Sequence, residues 1–158
     1  MEYKKQLIKK IESFYVDVVE EFKEAELQIM ADSKFRSIFK KKDYDGNIAK
    51  LRGCKKGAQK IRTTDLQIPK ADKNTAEVVR IFESCIRKFN ALCDAYISLQ
   101  DALKKKAEKQ PLKYSEYNDI FKVMKEKREA LNEELHELDI IYTDYSYDEN
   151  DNPYTFLD

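Results

Sequence analysis

The segment from Lys34 to Arg62 carries the most one-sided charge in the 158-residue chain. It holds eleven basic residues against two acidic ones, a net charge of +9. Clustered cations of this kind bind phosphate backbones, because each neutralised phosphate releases counterions, and they would equally suit an acidic protein surface. We therefore predict a nucleic-acid or acidic-partner binding site. Its candidate residues are the basic residues of this segment: Lys34, Arg36, Lys40, Lys41, Lys42, Lys50, Arg52, Lys55, Lys56, Lys60 and Arg62.

Two simpler interpretations of this basic segment stay open. The charges could form a solvated face that keeps a weak helix soluble. They could also balance the stretch 143–158, which has five acidic residues and no basic one. Phe35, Phe39 and Tyr44 lie among the cations and could stack on nucleic-acid bases. The segment thus predicts an anionic partner without identifying it.

The stretch 143–158 is an acidic, tyrosine-rich tail. Opposite charges attract over a Debye length of about 8 Å at physiological salt. We therefore expect the acidic tail to fold back over the basic segment, with Tyr145, Tyr147, Tyr154 and Phe156 as apolar anchors. In that position the tail would mask a binding surface.

Arg128 is a charged residue on an otherwise apolar stripe of a predicted helix. A buried charge is costly unless it is paired, so this side chain must reach solvent or meet an acid. We expect a partner among the acids of the first or the central helix, such as Asp17, Asp94 or Asp101. The alternative is an anion-binding or catalytic arginine.

His136, the only histidine, follows Arg128 on the same predicted helix after seven intervening residues. The two residues resemble the arginine and histidine of all-helical RNA-cleaving domains of the HEPN type, where four to six residues separate the pair. The resemblance implies a ribonuclease with Arg128 and His136 in its active site. The longer spacing departs from that pattern and turns the side chains to different faces. An HEPN-like ribonuclease is therefore the weaker alternative.

No other set of residues predicts catalysis, a metal site or a cofactor. Glu133 and His136 have the Glu-x-x-His spacing of di-iron bundles, but such a site needs this pair on two helices. Cys54, Cys85 and Cys93 lack metal-ligand spacing, and we expect them to be buried thiols. We therefore expect no metal, no cofactor and no small-molecule substrate, and predict that the protein is not an enzyme.

Apolar residues spaced alternately three and four apart predict the helices that position these side chains. The stripe of the first helix, widened by Leu7, Phe14 and Val19, consists of Ile8, Ile11, Tyr15, Val18, Phe22, Ala25 and Ile29. The stripe of the central helix consists of Val78, Phe82, Cys85, Phe89, Leu92, Tyr96, Leu99 and Leu103. Charged residues make up 38% of the chain, which is typical of helices with solvated outer faces. The predicted helices span about 3–31, 47–62 and 74–108, with a last helix whose apolar stripe runs from Tyr117 to Tyr142.

Local signals predict how these helices end and approach one another. Asn74 and Glu77 resemble a capping box for the central helix, and Ser115 can cap the last one. Gly53 and Gly57 lie four apart and would let another helix approach closely. The sequence leaves open whether the first helix continues to Lys42.

The predicted fold is all-α: an antiparallel bundle of three long helices plus one short basic helix, with an acidic C-terminal tail. Residues 1–142 form a single domain and 143–158 the tail. No run of residues is apolar enough to span a membrane, and we expect a cytoplasmic protein.

The function predicted from these features is binding. The first hypothesis is a protein-interaction or adaptor subunit, for which Ile97, Leu27 and Met30 are candidates for an exposed apolar stripe. The alternative is a nucleic-acid-binding or ribonucleoprotein accessory protein that uses the basic segment.

Overall fold

The computed structural model describes residues 2–34 and 43–147, and every regular element in these ranges is helical. In chain order the elements are α1 (Glu2–Ser13), a π-helical segment (Phe14–Val19), α2 (Glu20–Lys34), α3 (Tyr44–Lys60), α4 (Lys73–Ala107) and α5 (Tyr114–Ser146). The predicted all-helical class is confirmed, and the helices pack against one another. None of the described helices combines the length and the apolar character needed to cross a membrane.

The first long helix contains a π-helical segment between α1 and α2. The flanking residues Ser13 and Glu20 have right-handed helical backbone angles, so the three elements form one continuous helix. A π turn spans one residue more than an α turn. This fits two successive intervals of four among the core positions of the helix, which are Leu7, Ile11, Phe14, Val18, Phe22, Ala25 and Ile29.

The π-helical segment changes which aromatic ring enters the core. Phe14 is fully buried, whereas Tyr15 of the predicted stripe is half-buried and donates a hydrogen bond to Asp139 of α5. The helix also passes its predicted end at residue 31 and continues through Lys34. Its continuation to Lys42 lies outside the described residues.

The apolar stripe of α4 lines the core as predicted. Its buried members are Val78, Phe82, Cys85, Phe89, Leu92, Tyr96 and Leu99. Phe14 packs edge to face on Phe82 and Phe89, and Phe22 does so on Phe89 and Tyr96, with ring centroids 5.1 to 5.8 Å apart. Such pairs add about 0.5–1.5 kcal/mol each to the effect of burial. Because the contacts ascend along both helices, the first long helix and α4 run in the same direction.

Both α3 and α5 run opposite to α4. The contacts between α5 and α4 join Tyr145 to Thr75, Glu134 to Cys85 and Arg128 to Tyr96. The contacts between α3 and α4 join Asn47 to Gln100 and Lys55 to Asp94. In each set the residue number falls on one helix as it rises on the other.

The amino end of α4 is capped by Asp72. Its carboxylate accepts hydrogen bonds from the backbone nitrogen of Thr75 (3.1 Å) and from the Thr75 hydroxyl (2.7 Å). The predicted capping box is therefore wrong. Asn74 lies inside the first turn, and Glu77 accepts hydrogen bonds from Arg80.

The carboxyl end of α4 closes in a Schellman motif. Lys109 adopts φ 62°, its backbone N–H bonds to the carbonyl of Lys106, and the N–H of Gln110 bonds to the carbonyl of Lys105. The next helix begins after Lys113, whose side chain makes no capping hydrogen bond. The predicted cap at Ser115 is wrong, because Ser115 already lies within the first turn of α5.

Candidate functional site

The outer face of α3 is a row of exposed cations. Arg52, Lys56 and Lys60 are exposed and lie four residues apart, so they follow one another over about 12 Å of helix. Lys50 and Arg62 are also exposed. Within the described residues, none of these five cations forms an ion pair. Their charge is therefore available to an anionic partner.

The remaining members of the predicted basic site differ from this row. Lys55 is half-buried, and its ammonium lies 2.8 Å from the Asp94 carboxylate, so it joins α3 to α4. Lys34 is the last residue of α2. Four more members lie outside the described residues: Arg36, Lys40, Lys41 and Lys42. Phe35 and Phe39 also lie outside them.

The residues of α3 explain why its cations face outward. Ile48, Leu51, Cys54 and Ala58 are buried against the core. The helix begins at the Asp43 cap, whose side chain accepts a hydrogen bond from the backbone nitrogen of Gly46 at 2.9 Å. Lys50, Arg52, Lys56 and Lys60 lie off this buried stripe and are therefore turned to solvent.

The two glycines of α3 have different surroundings. A Cβ at Gly57 would lie 3.4 Å from Cγ2 of Val18, so this glycine does allow a close approach to the first long helix. A Cβ at Gly53 would have no neighbour within 4 Å. Gly53 is exposed and leaves a low point on the outer face of α3.

A buried amide pair joins α3 to α4. Asn47 Nδ2 donates a hydrogen bond to Oε1 of Gln100 at 3.1 Å. Only 4% of Asn47 and 2% of Gln100 is exposed. The pair satisfies polar groups that would otherwise be costly to bury.

Arg87 of α4 lies beside the carboxyl end of the α3 cations and is missing from the predicted site. Arg62 and Arg87 line the same surface groove, which has a volume of about 440 Å³. Both are exposed, and Arg87 also forms no ion pair within the described ranges. The sequence shows only that Arg87 lies on the central helix, off its apolar stripe. That Arg87 is close to Arg62 follows from the fold and not from any local pattern.

Arg128 lies between three helices. One Nη donates a hydrogen bond to the hydroxyl of Tyr96, and Nε lies 3.6 Å from a carboxylate oxygen of Glu26. The Tyr96 hydroxyl in turn donates to Glu26 at 2.6 Å. Burial disfavours the charged guanidinium, but the hydrogen bond to Tyr96 and the charge of Glu26 outweigh it, so the pKa of Arg128 is raised. Burial and the bond to Glu26 also raise the pKa of Tyr96.

The expectation that Arg128 pairs with an acid of the first or central helix is confirmed, because Glu26 belongs to the first long helix. The three candidates named for this role are wrong, because each is engaged elsewhere. Asp17 accepts a hydrogen bond from Ser13 within its own helix. Asp94 pairs with Lys55 and Asp101 with Lys105. Glu26 of α2, which lies on the flank of the apolar stripe, takes their place.

His136 does not share a site with Arg128. His136 comes eight positions after Arg128, so the two side chains point in directions about 80° apart around the axis of α5. Glu133 and His136 are both exposed, as their position off the apolar stripe predicts. No group of three His, Cys, Asp or Glu residues in the described part of the chain is placed to hold a metal ion.

The three cysteines are buried free thiols, as predicted. Burial raises the pKa of Cys54 to about 11 and that of Cys85 to about 12. Burial also raises the pKa of Cys93. Thiols with such raised pKa values hold little thiolate at neutral pH and react slowly.

The first turns of α5 expose apolar side chains. Tyr114 is 77% exposed, and the ring of Phe121 is partly exposed and stacks on Tyr117 with centroids 6.2 Å apart. Of the predicted exposed stripe, Leu27 is exposed, whereas Ile97 is half-buried and packs against the core. The side chain of Met30 lies outside the described set.

The acidic tail begins inside α5. The helix continues to Ser146, and the buried Tyr145 places its hydroxyl 2.9 Å from that of Thr75 in the first turn of α4. Tyr147 is partly exposed. Tyr154 and Phe156 lie outside the described residues, and with them the predicted contact of the tail with the basic segment.

The candidate site is thus a surface and not a cleft with converging reactive groups. It consists of the exposed cations of α3, extended onto α4 by Arg87. Comparisons of this chain with protein-family models, with curated proteins and with solved structures find no match.

Proposed function

We propose that this protein is a non-enzymatic, cytoplasmic protein-interaction or adaptor subunit that binds an acidic partner through the outer face of α3. Its scaffold in this proposal is a bundle of three long helices and one short basic helix, in which α3 and α5 run antiparallel to α4, with an acidic C-terminal tail. The observation that supports it most is the row formed by Arg52, Lys56 and Lys60, whose charges have no acidic partner in the described ranges. Complementary charge raises the rate of association and selects against wrong partners.

The exposed apolar side chains of α5 support a protein partner. Tyr114, Tyr117 and Phe121 lie at the end of the molecule where α3 also begins, since Lys104 near the end of α4 pairs with Asp45 at 2.9 Å. Aromatic residues are enriched in protein interfaces because they bury a large area at low entropic cost. A partner that follows α3 towards its first turn would meet these rings.

The test is the fate of whatever co-purifies with the native full-length protein. We expect an acidic protein that cross-links to Lys56 and Lys60, resists nuclease treatment and is lost from the triple variant Arg52→Glu, Lys56→Glu, Lys60→Glu. The matched control is the triple variant Lys5→Glu, Lys9→Glu, Lys127→Glu, which makes the same charge change on exposed positions of α1 and α5 away from both surfaces. Retention of the partner by the α3 variant at the level of the control would contradict the proposal.

Nucleic-acid binding is the alternative that the same cations support. Five cations engaging about five phosphates would give a log–log salt slope of roughly −4.5 on duplex DNA. Nuclease treatment would then release the co-purified material, and the α3 variant would flatten the salt slope. These two results together favour the nucleic-acid function over the adaptor function.

The HEPN-like ribonuclease is the weaker alternative. It requires RNA cleavage that is lost in both Arg128→Ala and His136→Ala. The guanidinium of Arg128 instead bonds to Tyr96 and pairs with Glu26, and this arrangement supports a structural role.

A further inference from the structure

A groove crosses the carboxyl end of α3 and the neighbouring surface of α4. Its volume is about 440 Å³, within the range of pockets that hold small ligands. Ile61 and Ile86 form its apolar part, and both are half-buried and packed against the core. Arg62 and Arg87 form its exposed cationic part.

Among the described residues, neither of the two acids near this groove pairs with Arg62 or Arg87. Glu83, which also lines the groove, accepts a hydrogen bond from the hydroxyl of Thr63. Asp65, two residues after Thr63, pairs with Lys10, and the charged atoms lie 3.3 Å apart. The guanidinium groups of Arg62 and Arg87 therefore keep their capacity for further carboxylates. Arginine binds carboxylates with two parallel hydrogen bonds and stacks on aromatic rings.

We propose that this groove binds the chain's own residues 148–158. The segment has four acidic residues and no basic residue, which complements the two arginines. It also contains Phe156, which could pack on Ile61 and Ile86. An acidic segment with an aromatic anchor is the chemistry that the groove suits.

The length of the segment permits this contact. Tyr145 lies beside Thr75, and Glu83 lies eight residues further along α4, which is about 12 Å. Passing half-way around a helix about 10 Å wide adds about 16 Å. The nine residues from 148 to Phe156 span up to about 32 Å when extended, so Phe156 can reach the groove. Because both groups belong to one chain, their effective concentration is about millimolar.

This inference deepens the proposed function, on which its regulatory consequence rests. Arg62 is the last cation of the α3 surface, so a tail bound at the groove occupies one end of the surface that the acidic partner uses. The partner must then compete with the tail. Binding of the tail to the groove is itself independent of any partner.

The test is paramagnetic relaxation in the full-length protein carrying Thr155→Cys and a nitroxide label. The native cysteines are buried with raised pKa values, so the label goes to the tail. We expect the amide signals of Thr64 and Arg87 to be at least halved relative to the reduced label. At about 1 M salt, where the Debye length falls to about 3 Å, the signals recover.

Two sets of variants make the test specific. The double variant Arg62→Glu, Arg87→Glu should abolish the broadening. The control is the double variant Lys106→Glu, Lys113→Glu, which should keep the broadening because these residues lie near the carboxyl end of α4 and in the connection that follows it. Neutralising the tail with Asp148→Asn, Glu149→Gln and Asp151→Asn should also abolish it without touching the folded helices.

Three results would overturn the inference. One is full signal intensity at Thr64 and Arg87 in the labelled protein. Another is equal broadening when labelled protein is mixed with isotope-labelled protein that carries no nitroxide, which would assign the groove to the tail of a second copy. The third is broadening confined to Lys50 through Lys56. None of these results depends on the co-purified partner, so the proposed function stands or falls separately.

Discussion

The two ends of the α4–α5 pair are built differently. Where α4 begins, the Asp72 carboxylate accepts hydrogen bonds from the hydroxyl groups of Tyr3 and Thr75, each at 2.7 Å. The Thr75 hydroxyl meets that of Tyr145, which is 3% exposed. These bonds connect α1, α4 and α5 at one point, and we refer to it as the closed end.

At the opposite end, α5 begins without a side-chain cap. Tyr114 and Val123 are 77% and 45% exposed there, and Met124 is the first buried residue of the helix. The first turns of α5 contact the core only through the partly buried Tyr117 and Ile120. A helix whose first turns make few buried contacts opens locally at a lower free energy than the rest of the fold. The comparison therefore separates an end that holds the bundle together from an open end that is free to contact other molecules.

The largest expected effect compares one tyrosine at each end. Tyr145→Ala removes a buried ring and should lower the free energy of unfolding by about 3–5 kcal/mol, since it leaves a cavity and removes one of the two hydrogen bonds of the Thr75 hydroxyl. Tyr114→Ala should change it by no more than about 0.5 kcal/mol. Urea unfolding followed by circular dichroism measures both. Equal losses would erase the distinction between the ends.

A smaller effect is expected from the cap of the closed end. Asp72→Ala should cost about 1 kcal/mol at pH 7, as loss of an N-cap does. Hydrogen bonds from Tyr3 and Thr75 lower the pKa of Asp72 to about 2. A carboxylate with a lowered folded-state pKa stabilises the fold above its unfolded value of about 3.9 and loses that effect as the pH falls.

The stability difference between wild type and Asp72→Ala should therefore shrink as the pH falls from about 4 towards about 2. Unfolding curves at several pH values measure it. Asp119→Ala, at an exposed position near the open end, is the control and should stay within about 0.5 kcal/mol of wild type at pH 7. A difference that grows on acidification would contradict the role given to Asp72.

The smallest expected effect strengthens the open end. Lys109 has φ 62° at the position of the Schellman motif that glycine prefers, so Lys109→Gly should raise the free energy of unfolding by up to about 1 kcal/mol. Lys106→Gly lies within the last turn of α4 and should lower the free energy of unfolding by a similar amount, because glycine disfavours the helix. Thermal unfolding separates the pair by the sign of the shift in Tm. A destabilising Lys109→Gly would show that this turn does not limit the open end.

Periodicity predicted the central helix well because the pattern is long and uninterrupted. The expected range 74–108 lies within one residue of α4 at each end, and the stripe from Val78 to Leu99 is buried. The π-helical segment was missed because an added interval of four between Phe14 and Phe22 is within the scatter of an ordinary amphipathic pattern. The register of the stripe shifts by one residue at this point, so Phe14 takes the core position that the alternating pattern assigns to Tyr15.

Caps and ion pairs were harder to predict because several residues compete for each role. Asn74 and Glu77 satisfy the local pattern for a cap, but Asp72 also meets Tyr3, which comes from another helix. Arg128 had three plausible aspartates by charge, and the rotation of α2 placed Glu26 there instead. The groove at Arg87 depends on the path of the loop after α3, which no local pattern specifies.

The amide pair between Asn47 and Gln100 sets the register of α3 on α4. Sliding α3 by one turn would move the two groups apart by about 5.4 Å. Each amide would then be buried without a partner, at about 1–3 kcal/mol apiece. The other polar contacts between the two helices, Lys55 with Asp94 and Lys104 with Asp45, are partly exposed ion pairs that oppose sliding less. The amide pair thus contributes less to the stability of the fold than to the selection of a single register of α3 on α4. This register keeps Arg62 opposite Arg87 and so determines where the cationic surface ends.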